Sequence, residues 1–170
     1  MPAQPSALRV ATWRALKQAG AVLLGPGLYA LPKARKHEAL LSDLSTRILA
    51  GGGTAITLAA AAFTEDDERA LVSRFESARE EEYRQVIKSA RKFYAHVEQE
   101  ERDRDFRFAE VESLEEELNK VRRQLELVHE RDPLSPAIRS EAHDAIEAAA
   151  ERLQQYLDRA YREENSDERV

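Results

Sequence analysis

Four residues near the start of the chain, Arg9, Trp13, Arg14 and Lys17, have types and spacing that suit a definite chemistry. On a helix, Arg9, Trp13 and Lys17 fall four apart and share a face, with Arg14 beside them. Guanidinium and ammonium groups neutralise phosphates, and an indole can pack on a sugar or a base. The combination therefore suits a nucleic-acid backbone. Lys33, Arg35 and Lys36 join the set as basic residues that the fold could place adjacent. The competing reading makes Trp13 a core residue and the basic side chains ordinary solvated positions. Only seven basic residues lie in the first 63, so a dimer presenting two such surfaces is expected rather than a monomer.

Other chemistries are poorly supported. The chain has no cysteine, which excludes disulfides, zinc–thiolate sites and a thiol nucleophile. No two of His37, His96, His129 and His143 stand three or four apart, and each lies in a charged helical stretch. Surface histidines are expected, with no metal site. The acidic runs Glu80–Glu82 and Glu115–Glu117 read as solvated helix faces. Gly51–Gly53 is not followed by Lys-Ser or Lys-Thr, so it reads as a helix stop and not as a phosphate loop. Arg131-Asp132, ahead of Pro133, reads as a structural corner. No flavin or nicotinamide fingerprint is present, so neither a cofactor nor enzyme activity is expected.

The elements that must position these residues divide the chain in two. Residues 1–63 hold seven basic and two acidic residues, a net +5, and all six glycines; residues 64–170 carry a net −11. In the first part, a helix capped by Ser6 and stopped by Gly20 is followed by Ala21–Leu24 and Leu28–Leu31. These two short apolar segments form a hairpin around Gly25-Pro26-Gly27. A second helix runs from Ala34 to about Ala50, and Thr54–Leu58 alternates like a third strand. In the second part, Thr64 and Asp67 form a capping-box-like start. Long helices are expected over about 66–102, 107–131 and 136–162, the first with a break near Ser77–Glu82. Ser135 and Pro136 open the last helix, and 163–170 reads as a disordered tail. Each helix carries an apolar seam at alternating three- and four-residue spacing: Tyr83 to Val97, Val111 to Val128, and Ala142 to Ala160. Such seams imply an antiparallel helical bundle or coiled-coil arm. The longest apolar run, Ala55–Phe63, is too short to span a membrane, and neither a transit peptide nor a secretory signal is convincing. A cytoplasmic protein without membrane contact is expected.

The order helix, strand, strand, helix, strand is a ferredoxin-like pattern lacking its first strand. The run from Pro5 through Trp13 to Ala21, then Gly27-Leu28-Tyr29-Ala30-Leu31-Pro32, resembles the N-terminal domain of ChrB, the regulator of bacterial chromate-resistance operons. Gly51-Gly52-Gly53-Thr54-Ala55, the Tyr83 helix, Phe106–Glu110 and Arg131-Asp132 resemble that family's helical extension in the same order. The similarity covers about residues 2–162. The head also resembles, more weakly, the Cas2-like domain of the phenylacetate-pathway repressor family. The resemblance implies an α+β protein with a small Cas2-like head and a long helical arm. It also implies DNA binding by the Trp13 region, and a role as a transcriptional regulator in chromate resistance. Two departures stand out. The family's apolar strand before Pro5 is missing, so either the start is placed too late (the favoured expectation) or the head is marginal or completed by another chain. No C-terminal chromate-resistance domain follows Tyr161, so chromate sensing is not carried over. The alternative function is a partner-recruiting adaptor that uses its acidic arm and does not bind DNA.

Overall fold

The computed structural model describes residues 5–104, 106–132, 134 and 136–167. It is a mostly helical α+β protein. Its elements are α1 (Pro5–Gln18), β1 (Val22–Gly25), β2 (Leu28–Ala30), α2 (Arg35–Ala50), α3 (Glu65–Asp103), α4 (Phe108–His129) and α5 (Pro136–Asp167). Two compact units share the chain, residues 1–75 and 76–170, with the division inside α3.

In the first unit, glycine decides where both short helices end. Gly20 takes φ +83°, and its N–H reaches Lys17 O at 3.0 Å while Ala21 N–H reaches Leu16 O at 2.9 Å. Gly52 repeats this at φ +76°, bonding Leu49 O at 3.0 Å, with Gly53 N–H on Ile48 O at 2.9 Å. Both are Schellman stops, in which a left-handed residue satisfies carbonyls that the helix leaves open. The expected cap at Ser6 is corrected, because α1 already begins at Pro5.

β1 and β2 pair antiparallel, Val22 opposite Ala30 and Leu23 opposite Tyr29, with an irregularity before Gly25. Among the described residues of this unit, Leu16, Val22 and Leu44 are the buried apolar ones. The third strand expected at Thr54–Leu58 does not form, and Ile56 and Leu58 are each 80% exposed. Alternation alone does not make a strand. Backbone donors and acceptors need a neighbouring strand, and none of the described residues supplies one there.

The second unit is built on the three seams. Tyr83, Val86, Ala90, Phe93 and Val97 of α3, Leu114, Leu118, Val121 and Val128 of α4, and Ala142, Ile146, Ala149, Leu153 and Tyr156 of α5 form one buried cluster. The small seam residues Ala142 and Ala149 suit the close approach of α5 to α4. At the start of α3, Asp67 N–H donates to Thr64 Oγ1 at 3.1 Å, and Thr64 N–H donates to Asp67 Oδ2 at 3.2 Å. This is the expected capping box.

The break expected near Ser77–Glu82 is absent, because α3 runs through it unbroken. Arg79–Glu82 and Arg84–Glu80 pairs at helical spacing support that stretch. Pro136 opens α5, whereas Ser135 lies outside the described residues. α5 also continues through Glu163 to Asp167, into the stretch expected as tail, with Arg159 pairing with Glu163 at 3.4 Å.

Candidate nucleic-acid interface

Helical spacing on α1 turns Arg9, Trp13 and Lys17 outward together. Trp13 is 46% exposed, which removes it from the core. Lys17 Nζ stands 5.3 Å from the centre of the Trp13 ring, a cation–π arrangement in which the ammonium partly shields the indole face. Arg9 and Arg14 are exposed on the same helix.

Three elements converge beside this face. Arg9, Thr12 and Trp13 of α1, Gly27 and Tyr29 of the hairpin, and Gly51–Thr54 after α2 line an open cleft of about 920 Å³. The glycines let α1 come close: a Cβ placed on Gly51 would sit 2.7 Å from Leu8 Cδ2. The cleft thus offers one guanidinium, two half-exposed aromatic rings and a backbone loop. These groups suit phosphate and planar-ring contacts.

The structure does not gather all seven expected residues at one place. Lys33 lines a second cavity of about 480 Å³ with Pro32, His37 and Leu58, shared with neither Arg9 nor Trp13. Arg35 and Lys36 sit in the first turn of α2. Its N-cap Ala34 supplies no side-chain acceptor, so the positive end of the helix dipole reinforces the two cations.

His37 is a correction to the surface reading. It is 9% exposed, and its Nδ1–H donates to Pro32 O at 2.7 Å, tying the strand exit to α2.

In the second unit the sequence reading missed a buried polar group. Glu82, expected on a solvated face, pairs with Arg79 at 3.2 Å and with Arg131 at 3.2 Å. Arg79 is 4% exposed and Asp132 5%. Asp132 Oδ1 accepts the Leu134 N–H at 2.8 Å, which closes the corner expected at Arg131-Asp132. Burial, then the facing Asp132 carboxylate, push the Tyr83 phenol up to about 12, although its hydroxyl is not in hydrogen-bond geometry. Burial also lowers the Arg79 guanidinium, against the opposing pull of Glu82.

A signal for this group was available. The α3 seam extended back four residues from Tyr83 reaches Arg79, and the α4 seam extended four beyond Val128 reaches Asp132. Both charged residues continue a buried stripe.

No helix among the described residues is long and apolar enough to cross a membrane. Comparison with curated proteins and with solved structures finds no match. The family described as "Protein ChrB, N-terminal" matches residues 9–167, which takes in the α1 face, the cleft and all three long helices. The chain therefore belongs to the ChrB N-terminal domain family, a family associated with chromate resistance.

Proposed function

We propose that this protein is a DNA-binding transcriptional regulator in chromate resistance, a cytoplasmic homodimer that grips the phosphate backbone through α1. The observation that carries this reading is the outward Arg9–Trp13–Lys17 face beside the cleft with Tyr29. Arg9, Arg14 and Lys17 neutralise phosphates, and Trp13 packs on sugar or base. Lys33, Arg35 and Lys36 add positive charge from a separate part of the same unit. On this reading the chain is not an enzyme and needs no cofactor.

Mobility shift on the DNA upstream of its own gene, at low salt, tests the reading. Reversing charge at Arg9, Arg14 and Lys17 together should abolish the shift. Binding unchanged by that reversal would assign the contact elsewhere, and no binding to that DNA would remove the regulator role.

A second reading, an adaptor that recruits a partner through the acidic helical unit, is favoured by exposed apolar residues there. Leu127 is 56% exposed and Tyr161 69%. It expects a stable complex or dimer by light scattering without any salt-dependent DNA affinity.

A further inference from the structure

One imidazole and three carboxylates meet on the flanks of the α3 and α4 seams. His96 and Glu100 are one helical turn apart on α3, and Glu110 and Glu117 are seven residues apart on one face of α4. Neither His–His spacing nor any single stretch of sequence signals this group, because its members come from two helices. Glu117, expected in a solvated acidic run, instead has its Oε2 2.9 Å from His96 Nδ1. That contact leaves Nε2 on the opposite side of the ring, 3.4 Å from Glu100 Oε1. One nitrogen of His96 and one oxygen each of Glu100 and Glu110 lie within 4.8 Å of one another. All three residues are half-buried.

If Glu117 takes the Nδ1 proton, a neutral ring turns its Nε2 lone pair towards a carboxylate oxygen, an arrangement that a metal ion between them turns from repulsive to attractive. Charge does not balance either. Among the described residues no Lys or Arg ion pair reaches Glu100, Glu110 or Glu117, so one imidazole faces three carboxylates. We propose that His96 Nε2, Glu100 and Glu110 bind one divalent first-row transition-metal ion, with Glu117 as the positioning residue that orients the imidazole. One nitrogen and two carboxylate ligands suit zinc, manganese or iron(II) better than magnesium, which prefers an all-oxygen shell. Metal–ligand bonds of about 2.1 Å bring donors to about 3.0–3.4 Å of one another, so from within 4.8 Å the three must close by up to about 1.5 Å, which glutamate rotamers on two half-exposed flanks allow. The bound ion would clamp the first turn of α4 to the last part of α3.

The test is a titration of the full-length protein with Zn²⁺, followed by calorimetry and by the ¹⁵N resonances of the histidine rings, with Mg²⁺ as a comparison. The expected result is one Zn²⁺ per chain, a perturbed His96 Nε2 resonance and a raised Tm, with no response to Mg²⁺ at the same concentration. His96→Ala and Glu110→Gln should each weaken binding at least tenfold. Glu117→Gln should weaken it by about 10–100-fold, as loss of an imidazole-orienting carboxylate does elsewhere. His143→Ala, at an exposed histidine 3.8 Å from Glu147, should change nothing. Circular dichroism of Glu110→Gln, whose side chain keeps its shape, separates loss of metal from loss of fold. Absence of stoichiometric binding would overturn the proposal. So would binding that survives His96→Ala or is lost in His143→Ala.

Discussion

Tyr83 shows how a single residue can carry a pH dependence for the helical unit. It is fully buried, and its phenol is raised from 10.0 to about 12 by burial and by Asp132. A phenol held neutral by the fold contributes stability that is fully present below its unfolded value near 10. That contribution is lost as pH rises through about 12. The unit should therefore lose about 2–3 kcal/mol of stability across that interval. Denaturant melts of wild type and Tyr83→Phe at a series of alkaline pH values would show it, the variant lacking this part of the loss. At neutral pH the same substitution should cost less than about 0.5 kcal/mol, because the hydroxyl it removes makes no hydrogen bond. Arg79→Ala is different. It leaves Glu82 with Arg131 alone in a buried site, and a chemical melt should show a loss of about 1–3 kcal/mol.

At the scale of elements, helix ends and interhelical ties make the sharpest predictions. Gly52 holds φ +76° at the stop of α2, where a Cβ meets nothing but the backbone conformation is strained for any L side chain. Gly52→Ala should cost about 1–2 kcal/mol, whereas Gly25→Ala, at an ordinary φ and in open space, should cost well under half of that. Hydrogen exchange of the α2 amides would report both. Glu101 of α3 accepts from Arg152 and, at 3.1 Å, from Arg159, both on α5. Those bonds, Arg152 first, hold its carboxyl below the usual carboxylate range. Because Arg152 and Glu101 are largely shielded from water, Glu101→Gln should cost about 1–2 kcal/mol in a thermal or chemical melt at neutral pH.

These elements also mark what could be read from sequence. The seams were legible because apolar residues at alternating three and four spacing have only one helix face to occupy. The stops at Gly20 and at Gly51–Gly53 were legible because few other residues tolerate a left-handed stop, though not that Gly52 is the left-handed residue of the three. Thr54–Leu58 was misread because pairing is non-local, and no alternation within five residues reveals whether a neighbour exists. Arg79 and Asp132 were hidden by their charge, although their positions continue the seams. At the candidate interface, spacing alone placed Arg9, Trp13 and Lys17 on one face. It could not show that Tyr29 and Gly51–Thr54 complete a cleft there, since they come from other elements. Nor could it show that Lys33 lines a different cavity.

The molecule as a whole joins a thinly packed unit to a well-packed one. Among the described residues, the buried apolar ones of the first unit are Leu16, Val22 and Leu44, while a continuous cluster from Tyr83 to Tyr156 lies within the second. Burial of apolar surface is the main stabilising term, so amides of residues 5–60 should exchange well ahead of those in the α3–α5 seams. On the proposed function, this thinly packed unit carries the DNA-facing residues, while the seams of the acidic helical unit are spent on its own core. The most direct measurement of that account is fluorescence anisotropy of labelled DNA from upstream of the gene, titrated with protein between about 50 and 200 mM salt. Affinity should fall steadily with the logarithm of salt concentration. Joint charge reversal at Arg9, Arg14 and Lys17 should remove most of both the affinity and its salt dependence. Binding that ignores salt and survives that reversal, or no binding at the lowest salt, would contradict it.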